Sequence, residues 1–495
     1  TPCGDTCMPK KQGKKEENVM RSKNLVALGL AVALCLTGCG GGTKTAETTG
    51  AGAETTGQAA PESKAETESP SSEAKVYPAG TVTFYMNGNP QFRQQYFETW
   101  LENHRDVAPE VSVEFVQVES NADAREKITM TALSGAVEDL PDAVFLDRLN
   151  LMDLVQAGLL VDETEFLTPL AEKMVDGALT EGMVSGKMYG LPDSVRPQLL
   201  MYNKEIFDKY EIDPASMDTI DGYIEAGRQL KEKSGGETYL SWIGSNNMTW
   251  KCWGRRGLMP QANAKVWDEE GNVIIGSDEG TKLALGALDT MYSEGLLMRV
   301  EMYDPALYDA INSQKIATFD IGAYWDEFMR QNCQATAGQW RVMSAPAFKE
   351  VGKAGAPVSS YMCIVEKGED SVYKELIEQM WYDFTFDTES RQAWVNSMEE
   401  QNAPYTNPIS LEMLEDDFWK EPSDYYGGQS FREWEGLTLQ NGANNMIVTA
   451  QDAEGDEIIS AEIEKYVAGD QTMEEAIANM DKNLKAKIGK AEIVD

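Results

Sequence analysis

The stretch Thr81-Val82-Thr83-Phe84-Tyr85-Met86-Asn87-Gly88-Asn89-Pro90 decides the fold class, because it reads as the end of a strand followed by the start of a helix. Its first six residues are rich in β-branched and aromatic side chains, which favour a strand. The Asn-Gly-Asn-Pro turn breaks that strand, and Asn89 before Pro90 is typical of a helix N-cap with proline at the first helical position. Apolar residues then recur at helical spacing: Phe92, Tyr96, Phe97, Trp100 and Leu101.

The same alternation continues along the chain. The pattern predicts a strand over 111–118, a helix around 124–133 and a short apolar strand over 143–146. Alternating strands and helices indicate an α/β fold with a parallel sheet covered by helices. In such sheets ligands bind beyond the carboxyl ends of the strands. We therefore expect four polar residues at these strand ends to contact a ligand: Asn87, Asn89, Asp147 and Arg148.

An export signal precedes this region. The basic residues Arg21 and Lys23 come before an apolar stretch, 25–36, that is too short to span a bilayer comfortably. The junction Leu36-Thr37-Gly38-Cys39 resembles the bacterial lipobox. That resemblance implies that Cys39 receives a diacylglyceryl group and becomes the new N-terminus. We interpret residues 1–38 as an over-extended start followed by a lipoprotein signal peptide.

The segment after the predicted anchor differs in composition from the rest. Residues 39–76 begin with the lipidated cysteine and continue as Thr, Ala, Glu, Gly, Ser and Pro. Such a stretch buries too little apolar surface to offset its conformational entropy, so we expect a disordered tether. The folded body should cover 77–495, which is too long for one compact core and suits two lobes.

Charge and residue usage exclude several functions. The chain carries 43 Lys and Arg against 82 Asp and Glu, and a net charge of −39 repels nucleic acid. With His104 as its one histidine, it offers no Ser-His-Asp or Cys-His arrangement, and we predict neither a cofactor nor a metal site. Cys252, Cys333 and Cys363 allow at most one disulfide, and three core thiols are the simpler interpretation.

Several motifs then occur in a specific order. They are GKMYGLP at 186–192, YNKEIF at 202–207, FDIGAYW at 319–325, the Ala-Pro turn at 403–404 and VAGDQTMEEA at 467–476. Together they resemble the extracellular solute-binding proteins of ABC importers, in the sugar-binding group typified by maltose-binding protein.

This resemblance implies two α/β lobes of a periplasmic-binding-protein-like fold, joined by crossing hinge segments around an interlobe cleft. It implies crossings near 191–199, 301–316 and 357–366. The expected lobes are approximately 77–195 with 316–360, and 196–310 with 365–495.

A carbohydrate cleft needs aromatic platforms together with amides, carboxylates and arginine, because sugars present both C–H faces and hydroxyl edges. The segment 241–253 is the densest such mixture and suggests Trp242, Asn246 and Trp250, although its tryptophans also suit a core. The resemblance points to Tyr324, Trp325 and Asp326 as a sugar-stacking loop. Asp193 and Arg196 could form a polar floor or a hinge ion pair, and Arg196 stands where maltose-binding protein carries a carboxylate.

The sequence thus predicts a monomeric receptor, lipid-anchored on the outer face of a bacterial cytoplasmic membrane. It would capture an oligosaccharide and deliver it to an ABC transporter permease without turnover. One alternative is a surface-anchored enzyme acting on glycosides, since a glycosidase needs only two carboxylates at a suitable distance. Another is the same receptor fold with a peptide, polyamine or metal chelate as its ligand.

Overall fold

The computed structural model describes residues 75–175, 177–352, 358–401, 403, 405–440 and 446–494. All of the described residues belong to one compact unit, 72–495. The predicted signal peptide, the anchor at Cys39 and nearly all of the predicted tether lie outside the described residues. Within the described ranges no helix is both long enough and apolar enough to cross a membrane.

The strands, in chain order, are β1 (Gly80–Met86), β2 (Val111–Gln117), β3 (Ala143–Leu146), β4 (Met183–Val184), β5 (Lys187–Met188), β6 (Leu191–Arg196), β7 (Gln198–Asn203), β8 (Ser241–Ile243), β9 (Leu297–Arg299), β10 (Thr318–Gly322), β11 (Trp340–Ser344) and β12 (Val358–Ile364). The α-helices are α1 (Pro90–Asn103), α2 (Asn121–Ser134), α3 (Arg148–Gln156), α4 (Thr164–Leu167), α5 (Lys204–Lys209), α6 (Ile220–Ser234), α7 (Met259–Gln261), α8 (Glu279–Ser293), α9 (Pro305–Asn312), α10 (Trp325–Asn332), α11 (Lys374–Phe386), α12 (Thr388–Glu400), α13 (Leu411–Glu415), α14 (Phe431–Gln440), α15 (Asp452–Ala468) and α16 (Met473–Lys487). A π-helix spans Trp250–Leu258.

Lobe 1 is built on a five-stranded sheet in the order β2-β1-β3-β12-β6. The first three strands are parallel, as the alternating pattern predicts, whereas β12 is antiparallel to both β3 and β6. Helix α1 begins at Pro90 as predicted, but the side chain of Asn89 makes no capping hydrogen bond. That amide is therefore free to act elsewhere.

Lobe 2 begins immediately after Pro197. Strand β6 belongs to the sheet of lobe 1, whereas β7 lies at the centre of a three-stranded antiparallel sheet in the order β10-β7-β11. The chain therefore crosses between lobes inside the predicted range 191–199. The parallel pair β8 and β9 extends this layer, because Thr318 N donates to Leu240 O at 2.8 Å.

The lobe boundaries predicted from sequence need correction. Residues 318–322 and 340–344 were expected in lobe 1, but they flank β7 and so belong to lobe 2. Residues after 365 were all expected in lobe 2, but Trp381 and Phe384 lie in the core of lobe 1, whereas α15 and α16 pack into the core of lobe 2. The second crossing therefore lies between β11 and β12, and not at 301–316, where α9 packs into the core of lobe 2.

A buried polar cluster lies inside lobe 2. Asp320 accepts hydrogen bonds from Gln198 Nε2 at 2.7 Å and from Gln261 Nε2 at 3.1 Å. Burial, opposed by these two donors, raises the pKa of Asp320 to about 7. The thiols of Cys252, Cys333 and Cys363 are unpaired and buried, which agrees with the simpler interpretation of the sequence.

Candidate functional site

A cavity of about 570 Å³ lies between the lobes, and both lobes line it. This volume is within the range of small-ligand sites. Six aromatic residues line it: Phe92, Trp394 and Tyr405 from helices and loops on the lobe 1 side, and Tyr303, Tyr324 and Phe328 from lobe 2. The cavity also has many amide and hydroxyl groups: Asn87, Asn89, Ser120, Asn121, Asn150, Ser194, Ser359, Ser360 and Thr406.

The strand ends of lobe 1 supply one polar wall. Asn87 follows β1 and Asp147 follows β3, and both line the cavity, as predicted from their position in the sheet. Asn121, at the start of α2, connects these two residues in the amide orientation that satisfies both of its polar atoms. In that orientation its nitrogen donates to Asn87 Oδ1 at 3.1 Å and its oxygen accepts from Asp147 N at 3.1 Å. Asp147 also caps α3, because its Oδ1 accepts from Asn150 N at 3.1 Å. The cap fixes the carboxylate at the rim of the cleft.

Apart from the contacts that Arg196 makes, two polar contacts between described residues join the cavity walls directly. Asn89 Nδ2 donates to Glu327 Oε1 at 3.0 Å, so the uncommitted N-cap amide of α1 reaches lobe 2. Arg256 Nη2 of the π-helix lies 3.5 Å from Asp147 Oδ2. Burial raises the pKa of Glu327, although the Asn89 hydrogen bond opposes this effect.

Of the two alternatives for Asp193 and Arg196, the hinge ion pair does not form. Both residues line the cavity, but Asp193 accepts from Arg93 Nη1 at 2.5 Å. Arg196 instead donates from Nε to Glu435 Oε1 at 2.6 Å and from Nη2 to Ala323 O at 2.9 Å. Since Glu435 also accepts from Asn407, this cluster joins the first crossing segment to α14 and to residue 407.

Trp394 lines the cavity from the lobe 1 side and is 8% exposed, because most of its ring packs into the core of lobe 1. Its ring packs edge-on against Phe384 at a centroid distance of 5.2 Å, and its Nε1 donates to Phe92 O at 3.3 Å. The guanidinium groups of Arg93 and Arg391 lie 3.8 Å and 3.7 Å from the Phe384 ring centroid, and 5.6 Å and 5.3 Å from that of Trp394. A ring held in this way loses little further freedom when a ligand binds.

Tyr303 lines the cavity from the lobe 2 side, as Trp394 does from lobe 1. It has a positive φ of 65°, which a side-chain-bearing residue adopts at an energetic cost, and its ring is 40% exposed. Trp325 and Phe328 support the ring at centroid distances of 5.8 Å and 4.9 Å. The backbone is thus strained where the ring is presented to the cleft.

The tryptophans expected to contact a ligand lie in the core of lobe 2 instead. Trp242 and Trp250 are 2% and 1% exposed, and neither lines the cavity. Trp250 Nε1 donates to Asp456 Oδ1 at 2.8 Å, and the carbonyl of Trp242 accepts from Trp253 Nε1 at 3.0 Å. Helix α15 packs against the segment 241–253 and covers it. The Gly, Ser and Asn content of that segment therefore did not indicate a binding loop. Asn246 is exposed but lies outside the cavity lining.

Three further predicted residues have structural roles. Trp325 is fully buried, and Asp326 accepts from Tyr426 Oη at 2.7 Å and pairs with Arg330 at 2.9 Å. Arg148 is buried and donates to Thr180 O at 2.9 Å. Of the predicted loop only Tyr324 lines the cavity.

The sequence interpretation also missed lining residues. Trp394 and Tyr405 flank the Ala-Pro turn at 403–404, so their proximity to that motif was an available signal. Tyr303 and Phe328 had no local signal, because the backbone strain and the ring contacts that position them depend on the tertiary structure.

Two lobes around an aromatic and polar cleft, joined by crossing segments, define a ligand-binding protein. The sequence profile of the bacterial extracellular solute-binding proteins matches residues 88–375, and the chain belongs to that family.

Two relatives are arabinooligosaccharide-binding proteins. The one from Halalkalibacterium halodurans is 21% identical over 252 residues, which cover 48% of this chain and 55% of that protein. The one from Bacillus subtilis is 20% identical over 345 residues, which cover 68% and 74% of the two chains. The chain therefore matches only about half the length of the first relative.

A solved structure shares the fold. It is an ABC transporter associated binding protein from B. animalis subsp. lactis in complex with β-1,6-galactobiose. The TM-score is 0.67 at 19% identity, and the alignment covers 83% of this chain and 97% of that one. The two-lobe α/β prediction is thereby confirmed, and family membership indicates an extracellular binding protein.

Proposed function

We propose that the chain is the receptor of an ABC importer, which captures an oligosaccharide in the interlobe cleft and passes it to a permease without chemical change. The observation that carries this proposal is the placement of aromatic rings on both sides of a cavity that is otherwise lined by amides, hydroxyls and charged groups. Rings bind the C–H faces of a sugar, and the planar polar groups bind its hydroxyls. The names of the relatives, which are oligosaccharide-binding proteins, support the same class of ligand.

Capture works by closure of the cleft. A ligand that contacts Trp394 on one side and Tyr303 on the other makes both contacts only when the lobes approach each other. It therefore shifts the hinge equilibrium by its differential affinity for the closed state. A dissociation constant near micromolar, about −8 kcal/mol, balances capture against release.

The test combines binding with product analysis. Calorimetry with arabino-, galacto- and malto-oligosaccharides should give one-site binding heat, and chromatography of the same samples should return the sugar intact. Small-angle scattering should give a smaller radius of gyration at saturation. Released shorter sugars would instead identify a glycoside-acting enzyme, and the failure of every sugar to bind would refute the proposed ligand class.

The membrane anchor is a separate part of the proposal. The Leu36-Thr37-Gly38-Cys39 junction supports lipidation of Cys39, and two or more acyl chains are needed for stable anchoring. Cys39→Ala should release the protein from the membrane or leave it unprocessed. Normal cleavage with full membrane retention would contradict this assignment. Size-exclusion chromatography of the released form should give a monomer.

A further inference from the structure

The lobe 2 wall of the cleft carries a cluster of three basic side chains. Lys251, Arg255 and Arg256 all lie on the π-helix of lobe 2, and all three line the cavity. The whole chain carries about half as many basic residues as acidic ones, 43 against 82, so composition does not explain three cations on one short helix.

The three cations differ in their partners. Arg255 Nη2 lies 2.5 Å from Asp452 Oδ2, and its Nε lies 3.7 Å from Asp456 Oδ2. Both carboxylates belong to α15 of the same lobe. The charge of Arg255 is therefore neutralised within lobe 2, whether the cleft is open or closed.

Arg256 and Lys251 form no ion pair with a described residue of lobe 2, although Asp456 of that lobe acts on Arg256 at longer range. Among the described residues, the ion pair of Arg256 is with Asp147 of lobe 1, at 3.5 Å, which is longer than an N–H···O hydrogen bond. Lys251 is exposed at the cleft and forms no ion pair within the described part of the chain. Two neighbouring cations thus face the cleft with donors that the protein itself leaves underused.

We propose that Lys251 and Arg256 form an anion subsite, so that the ligand is an oligosaccharide carrying a carboxylate or sulfate group. This inference rests on the proposed function. A planar guanidinium binds such a group with two parallel hydrogen bonds, and the ammonium of Lys251 adds a second point of positive charge. A carboxylate or sulfate only accepts hydrogen bonds, so it matches the donors of Lys251 and Arg256.

Two neighbouring groups refine the subsite. Burial raises the pKa of the Tyr324 hydroxyl well above its usual value, so this group remains a neutral hydrogen-bond donor beside the arginine. Asp147 Oδ2 shows the direction from which an anionic oxygen approaches Arg256, and it competes with the ligand for that position. Removing the charge of Asp147 should therefore strengthen the binding of an acidic ligand.

The experiment compares acidic sugars with uncharged derivatives of the same backbone. The probes are tetragalacturonate, a glucuronate-bearing xylo-oligosaccharide and a chondroitin sulfate tetrasaccharide, each beside its methyl-esterified or desulfated form. Neutral arabino- and galacto-oligosaccharides complete the panel. We expect at least one acidic probe to bind about 10- to 100-fold more tightly than its uncharged form, with affinity that falls as salt rises. Comparison of the carboxylate with the sulfate probes identifies which anion is bound.

Variants separate the subsite from general charge effects. Arg256→Gln and Lys251→Met should each reduce affinity for the acidic probe about 10-fold and leave the uncharged form nearly unaffected. Lys282→Met, an exposed lysine of the same lobe that pairs only with Glu279, is the control and should change neither. Asp147→Asn keeps a good N-cap for α3 and should raise affinity for the acidic probe.

The outcomes distinguish this inference from the proposed function. Tightest binding of a neutral oligosaccharide, or equal binding of acidic and uncharged forms, would overturn the anion subsite and leave an oligosaccharide receptor. Loss of acidic binding in the Lys282→Met control would also overturn it. No binding by any sugar of either panel would refute the proposed function itself.

Discussion

Neutralising Glu435 should destabilise the protein strongly and weaken ligand binding, because its carboxylate pairs with Arg196 at the first crossing between the lobes. Arg196 and Glu435 are 6% and 2% exposed, so this is a buried ion pair, with a separation of 2.6 Å. Removing one member of such a pair leaves an uncompensated charge and costs about 3–5 kcal/mol. In Glu435→Gln, Arg196 would keep its bond to Ala323 O but lose its counter-charge, and the new amide group would face the donating amide of Asn407.

The double variant tests the cause. In Arg196→Met/Glu435→Gln both charges are absent, so it should be less destabilised than the sum of the two single variants by about 3 kcal/mol. Glu433→Gln changes an exposed glutamate of the same helix and is the matched control, with an expected cost below about 1 kcal/mol. Urea unfolding followed by tryptophan fluorescence gives the free energies, and calorimetry gives the affinities.

Two results would refute this reasoning. A loss of less than about 1 kcal/mol of folding stability in Glu435→Gln would show that the ion pair does not stabilise the crossing segment that carries Arg196. Strict additivity in the double variant would show that the two side chains act independently, whatever the cost of each single change.

Three further predictions follow from the core and the cleft. Asp320→Asn should remove a pH dependence of the folding stability. In the folded protein the Asp320 carboxyl keeps its proton up to about pH 7, whereas in the unfolded chain it ionises near pH 4. The stability that this group contributes is therefore lost as the pH rises from about 4 to 7, by at most about 4 kcal/mol. Thermal melts across that pH range measure the effect, and Asp470→Asn, which changes an exposed carboxylate, is the control. Parallel pH profiles of wild type and Asp320→Asn would contradict the prediction. Tyr303→Gly should relieve about 1 kcal/mol of backbone strain in unfolding experiments yet weaken sugar binding, and unchanged affinity would remove Tyr303 from the site. Trp394→Ala should weaken ligand binding by about 2 kcal/mol or more in calorimetry. Trp250→Ala should instead lower the folding stability by about 3–5 kcal/mol. The reverse pattern would show that the ligand contacts the segment 241–253.

The elements with local signals could be predicted from the sequence. The turn at 87–90 ends β1 and starts α1 at the predicted residues, because the conformational preferences of Asn, Gly and Pro act within a few residues. The strand-end argument placed Asn87 and Asp147 at the cleft for a similar reason, since the carboxyl ends of β1 and β3 meet at one sheet edge.

The features that depend on distant pairing could not be predicted. Strand β10 returns to pair with β7 after more than a hundred residues, and no local pattern specifies which lobe it joins. The indole of Trp250 binds Asp456, which lies 206 residues later, so the composition of the surrounding loop indicated a pocket where a core exists. Arg196 was predicted as a ligand contact from its place in a motif, but its main partner, Glu435, is separated from it by 239 residues.

The energies of the contacts across the cleft indicate that the ligand, and not the protein, determines closure. Apart from the contacts of Arg196, Asn89–Glu327 and Asp147–Arg256 are the polar contacts between described residues that join the two cavity walls directly, at 3.0 Å and 3.5 Å. Partly exposed ion pairs and single hydrogen bonds of this kind each contribute about 1 kcal/mol or less. A micromolar ligand contributes about −8 kcal/mol through contacts that require both walls. Since a ligand shifts the hinge only by its differential affinity, these direct contacts are weak enough to leave the open form accessible. Closure then depends on the contacts of the ligand with the cleft aromatics and with the cations of the π-helix.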